Sequence, residues 1–279
     1  MTKKKLLLVD GNSVAFRAFF ALHNSLERFK NKNGLHTNAI YAFNNMFENV
    51  MQKEMPTHVL VAFDAGKTTF RTEFYSEYKA GRSKTPGEFK EQMPYIRELL
   101  EGLGVKYYEL PNYEADDIIG TLANKVDKDE FDVVVLSGDR DLTQLATDTV
   151  KVDITVKGVS DIESYTPEHI AEKYDGLTPK QIIDMKGLAG DTSDNIPGVT
   201  KIGEKTAIKL LKQYGSVEGV YENIDEMKKS KMKENLINDK EQAFLSKRLA
   251  TIEVNAPVEV NVEDLAYEGK NLEKLVPFY

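Results

Sequence analysis

The 279-residue chain has no cysteine, which excludes a disulfide framework, a thiolate metal site and a cysteine nucleophile, and suits a reducing compartment. Long apolar runs are missing too. The stretch that follows the basic first residues ends at Asp10, far too early for a signal peptide or a membrane span, so no membrane partner and a cytoplasmic location are expected. No period of 20 to 50 residues marks a solenoid. Positive net charge is absent as well: the balance is -8, whereas nucleic-acid phosphates are normally met by a basic surface. That average misleads if many carboxylates share one cavity and are neutralised there by cations. Enough apolar residues are present, 41%, to fill the core of one large α/β domain or of a domain with a smaller satellite.

Residues 6–9 are continuously apolar, as in a strand buried on both faces, and run into Asp10, Gly11, Asn12 and Ser13. Asn12 or Ser13 is expected to cap a helix over 14–22. A polar loop is expected over 27–34, then a helix from Thr37 or Asn38 that buries Ile40, Phe43, Phe47 and Val50. Residues 58–63 repeat the buried-strand pattern and end in Asp64; residues 132–136 repeat it again and run into Ser137, Gly138, Asp139, Arg140 and Asp141. Shorter strands are read at 105–110 and 150–156. Strands alternating with helices predict an α/β fold with a mostly parallel central sheet, whose sites form beyond the carboxyl ends of the strands. Each of the three main strands delivers an aspartate there.

Tyr113 to Asp117 reads YEADD at the start of a helix whose buried stripe is Ala115, Ile118, Ile119, Leu122 and Val126. Acids in a first helical turn commonly just complement the helix dipole, and an aspartate after a strand is often only a cap or turn residue. Three strand-end aspartates together with YEADD and the later GDTSD loop are harder to dismiss. If they converge, Asp10, Asp64, Glu114, Asp116, Asp117, Asp139 and Asp141 share one cavity. Each pair about 4 Å apart repels by roughly 4 kcal/mol at an effective dielectric of 20, and several such pairs exceed the stability of an ordinary domain, about 5–15 kcal/mol. An all-oxygen set calls for hard cations, two Mg²⁺ or Mn²⁺. Such a pair suits phosphodiester hydrolysis.

The ordered motifs VDGNS, VAFD, YKAGR, YEADD, SGDRD and GDTSDNIPGVTKIGEKTA resemble the flap endonuclease, or 5′ nuclease, family, most closely the amino-terminal 5′-3′ exonuclease domains of bacterial DNA polymerases I. The resemblance implies a PIN-like nuclease core over 1–165, with a helical arch at about 67–100, and a helical DNA-binding region over 166–279 with a helix-hairpin-helix at about 179–214. It implies that Asp10, Asp64, Glu114 and Asp116 serve one metal, with Asp116 also facing the second, and that Asp139, Asp141 and Asp191 serve the second. Asp117 and Asp194 look like outer acids of the bacterial members. Arg140 stands where relatives often carry Lys.

In the arch, Lys79 and Arg82 would hold the scissile phosphate next to Tyr78, with Lys67 and Arg71 guiding the strand at its base; otherwise these are solvated helix charges. Gly198 and Gly203 bound a hairpin that leads, through Lys201, to a helix carrying Lys205 and Lys209. Glycine lets backbone N–H groups approach a phosphate at a helix amino end, gripping duplex without reading bases. The family's hairpin also binds a monovalent cation, K⁺, through carbonyls. The expected partners are DNA with a 5′ flap, nick or junction and RNA primers, met in the bacterial nucleoid during replication and repair; a polymerase domain C-terminal to this segment and a monomeric state are expected too. Two rivals remain. A haloacid dehalogenase-like phosphatase needs an aspartate where Asn12 stands. A non-catalytic DNA-binding module would gain nothing from so much carboxylate repulsion.

Overall fold

In the computed structural model, which describes residues 2–158 and 161–279, the apolar runs become one six-stranded sheet. β1 (Lys4–Asp10), β2 (His58–Phe63), β3 (Lys106–Glu109), β4 (Phe131–Ser137) and β5 (Val150–Lys157) are parallel, and β6 (Asp161–Tyr165) pairs antiparallel with β5. The spatial order is β3-β2-β1-β4-β5-β6. Connections therefore leave β1 in opposite directions, and a crevice opens beyond the carboxyl ends of β1 and β4, where sheets of this kind place their ligands.

Between the strands run α1 (Gly11–Ala21), α2 (Asn38–Glu54), the short α3 (Phe70–Phe74) and α4 (Gly87–Lys90), α5 (Met93–Gly102) and α6 (Ala115–Lys125). After β6 the chain is mainly helical: α7 (Pro167–Lys173), α8 (Gln181–Ala189), α9 (Glu204–Tyr214), α10 (Val217–Glu222), α11 (Lys231–Asn238), α12 (Lys240–Ala250) and α13 (Leu272–Phe278). This is the expected mostly parallel sheet flanked by helices, with a helical C-terminal part. Strand alternation divides the core. Leu7, Val9, Val59, Val61, Val134 and Leu136 pack with α1, α2 and α5 on one face. Leu6, Leu8, Leu60, Val133 and Val135 meet α6 on the other, in a cluster that continues into the C-terminal helices. In α6, Ile118, Ile119 and Leu122 are all fully buried, each worth up to about 1.5–3 kcal/mol. That burial fixes the height of the YEADD turn against β1 and β2.

Four local expectations change. Helix α1 begins at Gly11 and is capped by Asp10, whose side chain accepts from Ser13 N, so neither Asn12 nor Ser13 is the cap. Gly11 is required because a Cβ there would collide with the Phe63 ring. Within 27–34, Glu27 to Phe29 finish a 3-10 stretch (His23–Phe29) before the turn. Strand β6 was not foreseen. Finally, segment 67–100 is less helical than an arch: α3 is one turn, Lys79 has φ +58°, and Gly81 and Pro86 interrupt the chain before α4. Residues of α5, notably Ile96, Leu99 and Leu100, belong to the core.

The last residues return to the sheet. Ala266 bridges to His58, and Leu275 of α13 packs against Gly102 at the end of α5. Among the described residues, no helix is long and apolar enough to cross a membrane.

Candidate metal and nucleic-acid site

Small polar side chains hold the strand ends together. The Asp64 backbone N–H donates to Asn12 Oδ1 at 2.8 Å, tying the end of β2 to the start of α1. Ser13 Oγ accepts from Gly138 N at 2.7 Å, and the Ser137 hydroxyl donates to Asp10 Oδ2 at 2.8 Å, tying β1 to β4. Asp64 Oδ1 accepts from Ala115 N at 2.8 Å, so the strand-end acid also caps the backbone of α6. Asp139 Oδ1 accepts from Asp141 N at 2.9 Å and turns the chain after β4. Asn12, Ser13 and Ser137 are thus the supports of the acidic cavity; the sequence presented Asn12 and Ser13 only as candidate helix caps.

The carboxylates feel one another. Burial, then the charges of Asp64 and Asp139, push Asp10 up to about 7 against the help of Ser137 and Ser13. Burial and the neighbouring Asp10, Asp139 and Glu114 hold Asp116 well above the ordinary range. Burial and Asp139 bring Asp141 to about 7, although Lys186 opposes them. Four cations compensate part of this charge, Arg71 among them through Glu114. Lys79 pairs with Glu114, Arg82 with Asp194, and Lys186 with both Asp141 and, at 2.6 Å, Asp191. Burial would depress the Lys79 and Lys186 ammoniums, but the paired carboxylates raise both. Lys186 is the main residue that sequence reading overlooked. Its signal was a lone base on α8, five residues ahead of Asp191.

Asp10 and Asp116 have no basic partner among the described residues, and the surplus of all-oxygen donors fits hard divalent cations. Among those residues no three acidic or imidazole groups close on one point.

Three assignments are corrected. Asp117 does not face the cavity: it is 0% exposed, and its two oxygens accept from Arg71, from Glu114 N at 3.0 Å and from Glu253 N at 2.9 Å, which leaves nothing for a metal. Arg71, expected to guide the strand, is 2% exposed and cannot touch nucleic acid. Tyr78 is also buried, in an apolar cluster with Ile196 and Leu249, with its hydroxyl 3.3 Å from Glu114 Oε2. Lys79 and Arg82 do lie beside the acids. Their segment docks on the GDTSD loop, where Lys79 N donates to Asp194 O at 2.9 Å and Asn195 Nδ2 donates to Glu77 O at 2.7 Å. Lys67 and Arg140 are exposed.

The hairpin between α8 and α9 is only partly as expected. Gly198 N donates to Ser246 Oγ at 2.8 Å in the interior and is not free for a phosphate. Glycine is needed there because φ is +61° and a Cβ would strike the Gly190 backbone. Gly203, by contrast, is the exposed N-cap of α9, with open space around it. Lys201, Lys205 and Lys209 are exposed on the same hairpin and helix.

Comparison with known proteins shows the family and the fold. Residues 5–175 match the 5′-3′ exonuclease N-terminal resolvase-like domain, and residues 177–273 match the 5′-3′ exonuclease C-terminal SAM fold. The chain is 62% identical over its whole length to DNA polymerase I of Streptococcus pneumoniae and 60% identical over 99% of its length to that of Bacillus subtilis, spanning 32% and 31% of those proteins. Its fold is similar to that of T5 5′-exonuclease with bound zinc, at TM-score 0.75 and 24% identity, covering 99% of this chain and 97% of that one. A T5 flap endonuclease in complex with DNA and metal ions superposes at TM-score 0.72 with 22% identity and 99% coverage of both chains. With both family domains matched in order over nearly the whole length, the chain belongs to the 5′-3′ exonuclease family.

Proposed function

We propose that this chain is a structure-specific, divalent-metal-dependent 5′ nuclease, a 5′-3′ exonuclease and flap endonuclease that hydrolyses DNA or RNA-primer phosphodiesters near single-strand to duplex junctions in replication and repair. The observation that carries the reading is the set of mutually repelling carboxyls of Asp10, Asp116 and Asp141, with Lys79 and Arg82 paired to the neighbouring acids Glu114 and Asp194. Asp10, Asp64, Glu114 and Asp116 would hold one ion and Asp139, Asp141 and Asp191 the other, with Asp194 in the outer shell. Two Mg²⁺ or Mn²⁺, when bound, supply activation of water and stabilisation of the leaving oxygen. Lys79 and Arg82 place positive charge against the scissile phosphate. Lys67 steers the strand, while Gly203, Lys201, Lys205 and Lys209 grip duplex backbone without reading bases. K⁺ at the hairpin carbonyls would strengthen that grip.

Several features support this reading. T5 flap endonuclease forms a complex with DNA and metal ions, and the catalytic core of Rad2, similar in fold at TM-score 0.63, is in complex with DNA substrate. The polymerases matched are about three times longer than this chain, which favours a polymerase domain in the natural protein. We place the enzyme, as a monomer, in the bacterial cytoplasm at the nucleoid. A non-catalytic DNA-binding module would keep the carboxylate repulsion with no return, so it is the weaker reading. The test is a 5′-labelled flap duplex incubated with Mg²⁺ or with a chelator, alongside Asp139→Ala. Product should form only with wild type and Mg²⁺; cleavage undiminished by the chelator, or none with Mg²⁺, overturns the proposal.

A further inference from the structure

Arg71 is a large cation buried almost completely, at 2% exposure, and a guanidinium taken out of water costs several kcal/mol unless its donors are met with good geometry. Here they are met. Nε donates to Leu249 O at 3.1 Å; one terminal nitrogen donates to Glu114 Oε2 at 2.7 Å and Asp117 Oδ2 at 2.8 Å, and the other to Asp117 Oδ1 and Thr251 O, both at 2.8 Å. Asp117 is fixed in turn by the N–H groups of Glu114 and Glu253. The Glu114 carboxylate is thereby divided: Oε2 is occupied by Arg71 and approached by the Tyr78 hydroxyl, while Oε1 is the oxygen that meets Lys79.

We propose that Arg71, aimed by Asp117, is a positioning residue for the metal site: it holds one oxygen of Glu114 so that the other is presented to the cavity, and it makes that orientation depend on the docking of residues 249–253 at the carboxyl end of α12. The proposal rests on the reading of Glu114 as a metal-binding carboxylate. A fork-shaped donor is what the arrangement uses. A lysine would keep the charge but could not bridge two carboxylates and two carbonyls in one plane. Partners that orient a ligand in this way typically govern metal affinity by about 10- to 100-fold.

The test is Mn²⁺ titration, with free Mn²⁺ read by electron paramagnetic resonance, on wild type, Arg71→Lys, Asp117→Asn and Glu114→Gln, each first shown to melt cooperatively. Arg71→Lys should weaken Mn²⁺ binding about 10-fold, and Asp117→Asn, which is nearly isosteric, should act in the same direction. The Arg71→Lys effect should vanish in the Glu114→Gln background, because the residue acts through Glu114. Wild-type Mn²⁺ affinity in a folded Arg71→Lys or Asp117→Asn protein overturns the positioning role, as does an undiminished Arg71→Lys effect on top of Glu114→Gln. If Glu114→Gln alone leaves Mn²⁺ binding unchanged, the assignment of Glu114 itself fails.

Discussion

Asp116 and Asp117 are neighbours with opposite duties, and the reason is rotational. Successive residues of a helix point about 100° apart, so one carboxylate enters the cavity while the next turns inward to Arg71. Nothing in the string YEADD distinguishes them, since the deciding partner lies 46 residues away. Asp116 carries charge that the metal-free fold must endure with no ion-pair partner of its own among the described residues, Lys79 easing it only from beyond contact. Asp116→Asn should therefore raise the melting temperature of chelated protein at about pH 8, by roughly 3–8 °C if about 2 kcal/mol of repulsion is relieved. The same variant should lose flap cleavage in Mg²⁺. A lower melting temperature in chelator would show that Asp116 is not a repelled charge.

At the scale of elements, the segment after β2 and the hairpin before α9 both look like nucleic-acid devices in the sequence, yet each spends part of its chemistry on packing. Tyr78 and Gly198 are interior, whereas Lys79, Arg82, Lys205 and Lys209 keep charge at or near the surface. Period and turn residues located β2 well: it occupies the apolar run 58–63. They did not reveal which side chains turn inward, because that depends on α12 and Ser246 more than 40 residues downstream. If the amino end of α9 grips phosphates, Lys205→Ala and Lys209→Ala should each weaken duplex binding at all sequences alike. Each should also reduce the slope of log affinity against log salt by about 1. A slope unchanged from wild type in both variants, measured by fluorescence anisotropy, would remove this helix from the interface.

For the molecule as a whole, the acidic cavity links stability to protons and to metal. Asp10 and Asp141 are raised to about 7 and Asp116 is raised well above its ordinary value. Between about pH 4 and 7 the folded protein thus binds more protons than the unfolded chain, and stability falls as pH rises through that window. His58, whose pKa burial lowers, acts in the other direction, as do ion-paired acids held low such as Glu54, Glu163, Asp191 and Glu218 towards the acid end of the window; above about pH 5.5 the raised carboxyls, Asp64 included, outweigh them. Chelated protein should therefore melt at a lower temperature at about pH 8 than at about pH 5.5, and excess Mg²⁺ should restore the loss at the higher pH. Equal melting temperatures at the two pH values, or no response to Mg²⁺, would show that the carboxyls are not coupled as described.

What the sequence determined by itself was the architecture and the inventory of acids. Continuous apolar strands, helical stripes and aspartates at strand ends are local patterns, and they locate the carboxyl edge of a parallel sheet without coordinates. The tertiary structure decided which acids face the cavity and which cations neutralise them. Asp117 is withdrawn by Arg71, and Lys186 is drawn between Asp141 and Asp191. These outcomes turn on pairings between residues far apart in the chain and on burial that raises the cost of any unpaired charge, which neither residue type nor spacing encodes.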